Sequence, residues 1–484
     1  MIALINPNAN VEVVKRLDIS TPPLGLGYLA SMLRERGFKV KIIDDLVEKL
    51  SLSDLFKRIK DALIIGITST TPTFNTALRY ACAIKRRFPH AFIILGGVHA
   101  TFMPYQALKN DCVDAVCIGE GEYTLAELAE RIEAERSLEN LRGIIYKDRN
   151  GNSNNNDMGG CDSNSKVITI GNQITNYKII NNGPRDFIQD LDALPFPAFD
   201  LMPLNAYTVL GHRLEHFPMI TSRGCPFACR YCSSSLFLGR RFRARSPKNV
   251  VDEIEWLVND FKARHIAFSD DTFTLSKRRV VEICDEIEAR KLDIEWSCSS
   301  RVDTISKELL EKMKKAGCSA IYFGVESASP KILDYYKKRI NLEKVKKAVS
   351  LAKKAGIAVI CSFIIGSPYE KKEDMKATLN FALKLNPDYA QFSILTPYPG
   401  TDIYKEANEK DLLLTKNFDE YTAGKPVLKN LYLSPQEIMK FLKYCYLRFY
   451  LRPTFILREI KRGNLGVVIE TIRRSLRKEE DKGW

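Results

Sequence analysis

At 484 residues the chain is too long for one ordinary domain, and two or three are expected. An apolar share of 45% excludes a disordered composition, and no apolar run approaches the length of about 18 residues that a membrane-spanning helix needs. The net charge of +14 raises nucleic acid or an anionic membrane as partners. Part of it is local, with 12 Lys and Arg against 5 Asp and Glu from Lys440 to Trp484.

Elsewhere Lys344, Lys346, Lys347, Lys353 and Lys354 sit on helical faces, and neither an RNA-binding signature nor a helix-turn-helix pattern is present. No nucleic-acid partner is expected. The opening Met1 to Pro7 has no signal-peptide pattern and reads as a strand, so a cytoplasmic protein is expected. Twelve cysteines are too dilute for a disulfide scaffold. Cys82, Cys117, Cys284 and Cys361 lie in apolar runs and read as small buried hydrophobes.

In chain order, residues 1–146 alternate strands and helices. Ala3 to Ile5, Val40 to Ile43, Leu63 to Ile67, Phe92 to Leu95 and Ala115 to Ile118 are short apolar runs suited to parallel strands buried on both faces. Leu24 to Arg36 and Phe74 to Phe88 read as amphipathic helices between them. The α/β class predicted here is a doubly wound, Rossmann-like sheet, with its ligand beyond the carboxyl ends of the strands. The loops at those ends carry Ser69 and Thr70, then Gly96, Gly97 and His99, then Gly119, Glu120 and Gly121. Glycine there lets backbone approach a ligand closely, and hydroxyls supply hydrogen bonds.

Residues 147–210 read as a flexible Asn-rich insertion and a proline-bearing linker, with Cys161 incidental. Residues 211–433 alternate again. Six predicted strands (218–221, 265–268, 294–298, 320–323, 359–363 and 389–392) suggest a partial TIM-like (β/α)6 barrel with its site at the strand carboxyl ends. Residues 434–484 read as basic helices. There Tyr444, Tyr446, Leu447, Phe449, Tyr450 and Leu457 interleave with Arg448, Arg452, Arg458, Lys461 and Arg462. Packing on the barrel is the expectation, with a peripheral contact to the inner face of an anionic membrane as its alternative.

Cys225-Pro226-Phe227-Ala228-Cys229-Arg230-Tyr231-Cys232 follows the first barrel strand. Thiols at this spacing converge from one loop on a cubane, and three ligands instead of four leave one iron open to an outside group. Structural zinc would want a fourth Cys or His nearby, but the next candidates are His265 and Cys284.

Cys-x3-Cys-x2-Cys with an aromatic residue before the last Cys resembles the S-adenosylmethionine radical enzymes. The resemblance spans about Pro218 to Leu433 and implies a [4Fe-4S] cluster on Cys225, Cys229 and Cys232. Its open iron binds S-adenosylmethionine, which is cleaved to a 5′-deoxyadenosyl radical. The same resemblance puts Tyr231 near adenine and implies S-adenosylmethionine contacts at Asp270, Arg301, Glu326 and Gly366. From Ala3 to Tyr146 the chain resembles the cobalamin-binding domain fused to one branch of these enzymes, on Pro22-Pro23-Leu24-Gly25, Gly96 to Thr101 and Gly119 to Glu122. That branch includes P-methylases and the anaerobic magnesium-protoporphyrin monomethyl ester cyclase.

The Asp-x-His-x-x-Gly loop whose His ligates cobalt in some cobalamin proteins is absent, and His99 comes too late in the domain to replace it. The resemblance implies methyl transfer by way of cobalamin to an unactivated carbon or phosphorus of a small-molecule or lipid-like substrate. A ferredoxin or flavodoxin would be the electron donor. The rivals are an oxidative cyclase, a non-catalytic cobalamin or cluster sensor and, with no second Cys triad in the N-terminal domain, a methylthiotransferase.

Overall fold

The computed structural model describes residues 1–8, 20–149, 177–209, 212–213, 216–461 and 466. Strands β1 (Ile2–Asn6), β2 (Val40–Asp44), β3 (Ile64–Thr68), β4 (Phe92–Gly96), β5 (Ala115–Cys117), β6 (Ile144–Asp148) and β7 (Lys178–Asn181) form one sheet in the order 2-1-3-4-5-6-7. The first five are parallel, as their unbroken apolar runs require, with Leu4, Ile65, Ile93 and Val116 buried. β6 and β7 are antiparallel additions, pairing as Tyr146↔Ile180.

β7, beyond residue 146, thus returns to the same sheet. The polar stretch between β6 and β7 hides that pairing from any local pattern. Residues 150–176, Cys161 among them, lie outside the described residues.

Two short pairs follow. β8 (Thr208–Val209) meets β9 (His212–Arg213), and β11 (Ser222–Arg223) meets β12 (Arg243–Ala244). The second sheet runs β10 (His216–Met219), β13 (His265–Phe268), β14 (Glu295–Ser300), β15 (Cys318–Glu326), β16 (Ala358–Ile365) and β17 (Tyr389–Ile394), all parallel and in sequential order. This is the open six-stranded barrel that the pattern predicted. Phe323, Cys361 and Phe363 are buried in the core that the outer helices share. Their neighbours Tyr322, Ser362 and Gln391 take the opposite, concave face, where Tyr322 is 46% exposed.

One hydrophobic core runs through both sheets, from Ile2 and Leu4 by way of Phe199 and Met219 to Trp296 and Phe363. Gly27 permits the junction, since a Cβ there would meet Met202 at 2.6 Å and Pro197 at 2.9 Å. Helix Leu24–Glu35 consequently lies directly on the linker, with Ser31 Oγ donating to the Phe196 carbonyl at 2.6 Å.

Helix Pro435–Tyr450 covers the free edge of β17. Tyr446 Oη donates to the Phe392 carbonyl at 2.8 Å and accepts from its amide at 3.2 Å, and Tyr450 Oη does the same at Ala390. The hydroxyls stand where a seventh strand would otherwise pair. Packing, the first of the two expectations for this segment, holds for these residues, although Tyr444, Leu451, Leu457 and Ile460 stay exposed. Arg462 lies outside the described residues. No helix among the described residues is long and apolar enough to cross a membrane.

Of the four scattered cysteines, Cys117, Cys284 and Cys361 are buried as expected. Cys82 is corrected: it pairs with Cys112 across a Cα–Cα distance of 4.8 Å, because helix Phe74–Arg87 sets it against the loop before β5.

Candidate active site

The triad loop leaves β11 through Gly224, whose φ of +88° and contact with the Arg241 carbonyl leave no room for a side chain. Cys225 N donates to the Gly239 carbonyl at 3.1 Å, Arg230 N to that of Tyr336 at 3.0 Å, and Cys232 N to that of Cys229 at 3.2 Å. The three thiols are partly buried and sense one another electrostatically. Burial pushes Cys232 up to about 11 and raises Cys225 as well.

Donors offset part of that cost. The amide of Phe227 faces Cys225, and the amide of Ser234 faces Cys232. Such donors favour thiolate sulfur, as an iron cluster requires. Among the described residues no three His, Cys, Asp or Glu side chains close on one ion position. A cubane does not ask for that, because each thiolate binds a different iron. The donor set fits a [4Fe-4S] cluster.

Around this loop the predicted S-adenosylmethionine contacts divide in two. Tyr231 and Glu326 come together, Tyr231 Oη donating to Glu326 Oε1 at 3.1 Å. Lys338, which sequence reasoning missed, closes the group with Nζ 2.9 Å from the same oxygen. Ser362 Oγ reaches Glu326 Oε2 from the concave face at 3.4 Å. An ammonium, a carboxylate and a phenol on one buried patch suit the amino-acid and ribose ends of S-adenosylmethionine.

Asp270 and Arg301 are instead occupied in holding the loop. Asp270 accepts from Thr221 N at 2.6 Å and from the Thr221 and Ser222 hydroxyls. Arg301 chelates Asp303 at 3.0 and 2.8 Å and stacks 3.6 Å from the ring centroid of Phe227, inside the triad loop.

Gly366 has φ of +81°, and the side from which a Cβ would project meets Ile438 at 3.1 Å. Its amide donates to Glu370 Oε2 at 2.6 Å, as does that of Ser367 at 3.1 Å. Sequence reasoning missed Glu370, although a carboxylate four residues past a strand-ending glycine is a readable signal. Burial raises this fully enclosed carboxyl to about 8.

In the first domain Gly97 has φ of +91°, and a Cβ there would press on the Ser69 carbonyl at 2.6 Å. Ser69 is buried and donates to the Gly96 carbonyl at 3.0 Å, while Thr70 is exposed. Gly119 has φ of +77° and open space where a Cβ would project, and its amide donates to Thr101 Oγ1 at 3.1 Å. Gly121 is packed, with Leu29 3.2 Å from where its Cβ would be.

His99 is 1% exposed between the rings of Phe74 and Phe418, whose centroids are 4.1 and 4.7 Å away. Its Nδ1 meets Thr71 Oγ1 at 3.2 Å, its Nε2 has no partner, and burial lowers it to about 4. The enclosure suits a loop-packing residue. Glu120 is placed differently from the expectation of a cobalamin contact, since its carboxylate turns to Arg223, Arg243 and the amide of Ile188, all beyond the first sheet.

The strand ends of the two sheets therefore face each other. Phe102 lies 6.5 Å from Phe237, which follows the triad, and against Gly400, which follows β17. The parallel strands of both sheets thus present their carboxyl ends to one space.

Residues 219–382 match the radical SAM superfamily, and residues 13–129 match the B12 binding domain. An uncharacterised methyltransferase of Pyrococcus horikoshii is 40% identical over 98% of each chain. The anaerobic magnesium-protoporphyrin IX monomethyl ester cyclase of Rubrivivax gelatinosus is 29% identical over 90% of this chain and 75% of its own. The fold also resembles the radical S-adenosylmethionine methyltransferase TsrM of Kitasatospora setae, solved with cobalamin and a [4Fe-4S] cluster, with a TM-score of 0.67 and 19% identity over 91% and 81% of the two chains. The chain belongs to the cobalamin-dependent radical S-adenosylmethionine methyltransferase family. The matched domains imply S-adenosylmethionine, a [4Fe-4S] cluster and cobalamin as its cofactors.

Proposed function

We propose that the enzyme transfers a methyl group to an unactivated carbon or phosphorus of a small-molecule substrate held on the concave face of the barrel. Cys225, Cys229 and Cys232 are the proposed cluster ligands. When bound, the cluster supplies the electron that cleaves S-adenosylmethionine, and cobalamin carries the methyl group. Tyr231, Glu326 and Lys338 orient the amino-acid and ribose ends of S-adenosylmethionine, with Asp270, Arg301 and Glu370 fixing the loops around them. The backbone at Gly96, Gly97 and Gly119 borders the corrin. The electron comes from a ferredoxin- or flavodoxin-type protein.

The observation that carries this reading is the meeting of the Gly119 to Glu122 loop with the residues just before the triad, which brings the two cofactor loops to one space. Anaerobically reconstituted, reduced protein should show the [4Fe-4S] absorption and release 5′-deoxyadenosine from S-adenosylmethionine. Each single Cys→Ala change in the triad should abolish release. A triple-Ala chain that still releases it defeats the assignment.

A further inference from the structure

Four charged side chains, each less than a tenth exposed, join the two cofactor loops. Arg223, two residues before Cys225, sends Nη1 to Glu120 at 2.9 Å and Nη2 to Glu122 at 2.6 Å. Arg243, its partner across the β11–β12 pair, donates from Nη1 to both oxygens of Glu120 at 2.9 Å and from Nη2 to the Leu238 carbonyl at 2.8 Å. The ring of Tyr28, from the first helix, lies 5.6 Å from the Arg223 guanidinium.

Two guanidinium groups shared between two carboxylates balance in charge and have narrow geometry, because the Arg223 fork must span both carboxylates and Arg243 Nη1 must reach Glu120 while its Nη2 holds the Leu238 carbonyl. Buried pairs of this kind contribute little net stability for the desolvation they require, so specificity of placement is what such a group can supply. The placement at stake is plain from the chain. Glu120 and Glu122 flank Gly121 directly after Gly119, whose Cβ side is open, and Arg223 precedes the triad by one glycine.

We infer that Glu120, Glu122, Arg223 and Arg243 form a clamp that fixes the position of the cobalamin loop relative to the cluster loop. They are positioning residues that touch neither cofactor, and their office is the separation between the two. The inference rests on the reading that the triad holds the cluster and that the Gly119 loop borders cobalamin.

The clamp predicts two results in the full chain reconstituted with iron, sulfide and cobalamin. Pulsed dipolar spectroscopy on the cob(II)alamin and reduced-cluster spins of the wild type should give one narrow distance distribution. Glu122→Gln and Arg223→Lys should shift and broaden it while both cofactors stay bound at wild-type stoichiometry. In the wild type itself, hydrogen exchange of segments 119–122 and 223–225 should open in one correlated step, a measurement that does not depend on a variant folding. A distribution unchanged in either folded variant, even with a lowered melting temperature, overturns the clamp and leaves the charges as fold stabilisers. Independent opening of the two segments overturns it as well. Failure of the wild type to take up both cofactors would instead refute the functional reading beneath it.

Discussion

Replacing Glu370 by Gln should stabilise the protein increasingly from about pH 4.5 to about pH 8 and leave it nearly unchanged below that window. The carboxyl is wholly buried behind the Gly366 turn. Its Oε2 accepts two backbone amides, and its Oε1 has no partner. Burial raises its titration from 4.5 to about 8. Between those pH values the folded chain holds a proton that the unfolded chain has released, so stability falls as pH rises through that window. The slope is about 1.4 kcal/mol per pH unit, or roughly 2–3 kcal/mol between pH 6 and pH 8.

Gln presents the same carbonyl oxygen to the Gly366 and Ser367 amides and cannot ionise, so the variant escapes this loss. Anaerobic thermal melts of apo wild type and Glu370→Gln at half-unit steps from pH 6 to pH 9 test it. The difference in midpoint should grow with pH in favour of the variant up to about pH 8, where the folded carboxyl itself ionises, and level off above it, reaching several degrees. A difference that is flat across the series, or a wild type that is the more stable at pH 9, refutes the reasoning.

Three further outcomes follow from the packing. His99→Ala should cost about 2–4 kcal/mol through the cavity left between Phe74 and Phe418, yet leave the cobalt hyperfine pattern of bound cob(II)alamin unchanged. Loss of a nitrogen coupling would show the imidazole to be a ligand after all. Tyr446→Phe with Tyr450→Phe should cost about 1–3 kcal/mol per tyrosine, because each exposes an amide and a carbonyl of β17. Urea midpoints should fall and the far-ultraviolet spectrum stay constant; an unchanged midpoint would show that water replaces the hydroxyls freely. Vesicle flotation should leave the protein unbound on anionic and neutral lipid alike at low and high salt, since Phe441, Cys445, Phe449 and Phe455 are used up in packing. Salt-sensitive binding to anionic vesicles alone would reverse that expectation.

Much was legible in the chain because it is encoded locally. The parallel strands read as short apolar runs because both their faces are covered, and the triad reads as a cluster site because its three ligands sit within one loop. The glycines of the strand-end loops announced a close-approach edge, and two of them do carry left-handed backbone, at Gly97 and Gly119.

What stayed hidden depends on partners far away in sequence. β7 is a strand only because β6 offers it an edge across a polar insertion. Lys338 looks like any lysine at a helix end until β15 folds Glu326 beside it, and Glu120 reads as part of a ligand loop until Arg223, 103 residues on, reaches it. Asp270 and Arg301, read as S-adenosylmethionine contacts, also hydrogen-bond Thr221, Ser222 and Asp303, partners that no local pattern announces. By itself the sequence determines which segments become strands and which loop gathers the thiols, since spacing and hydropathy act over a few residues. Only the tertiary structure decides which charges are free for a ligand and which are spent joining the two sheets. A buried charge takes its role from whichever opposite charge the fold brings within about 3 Å.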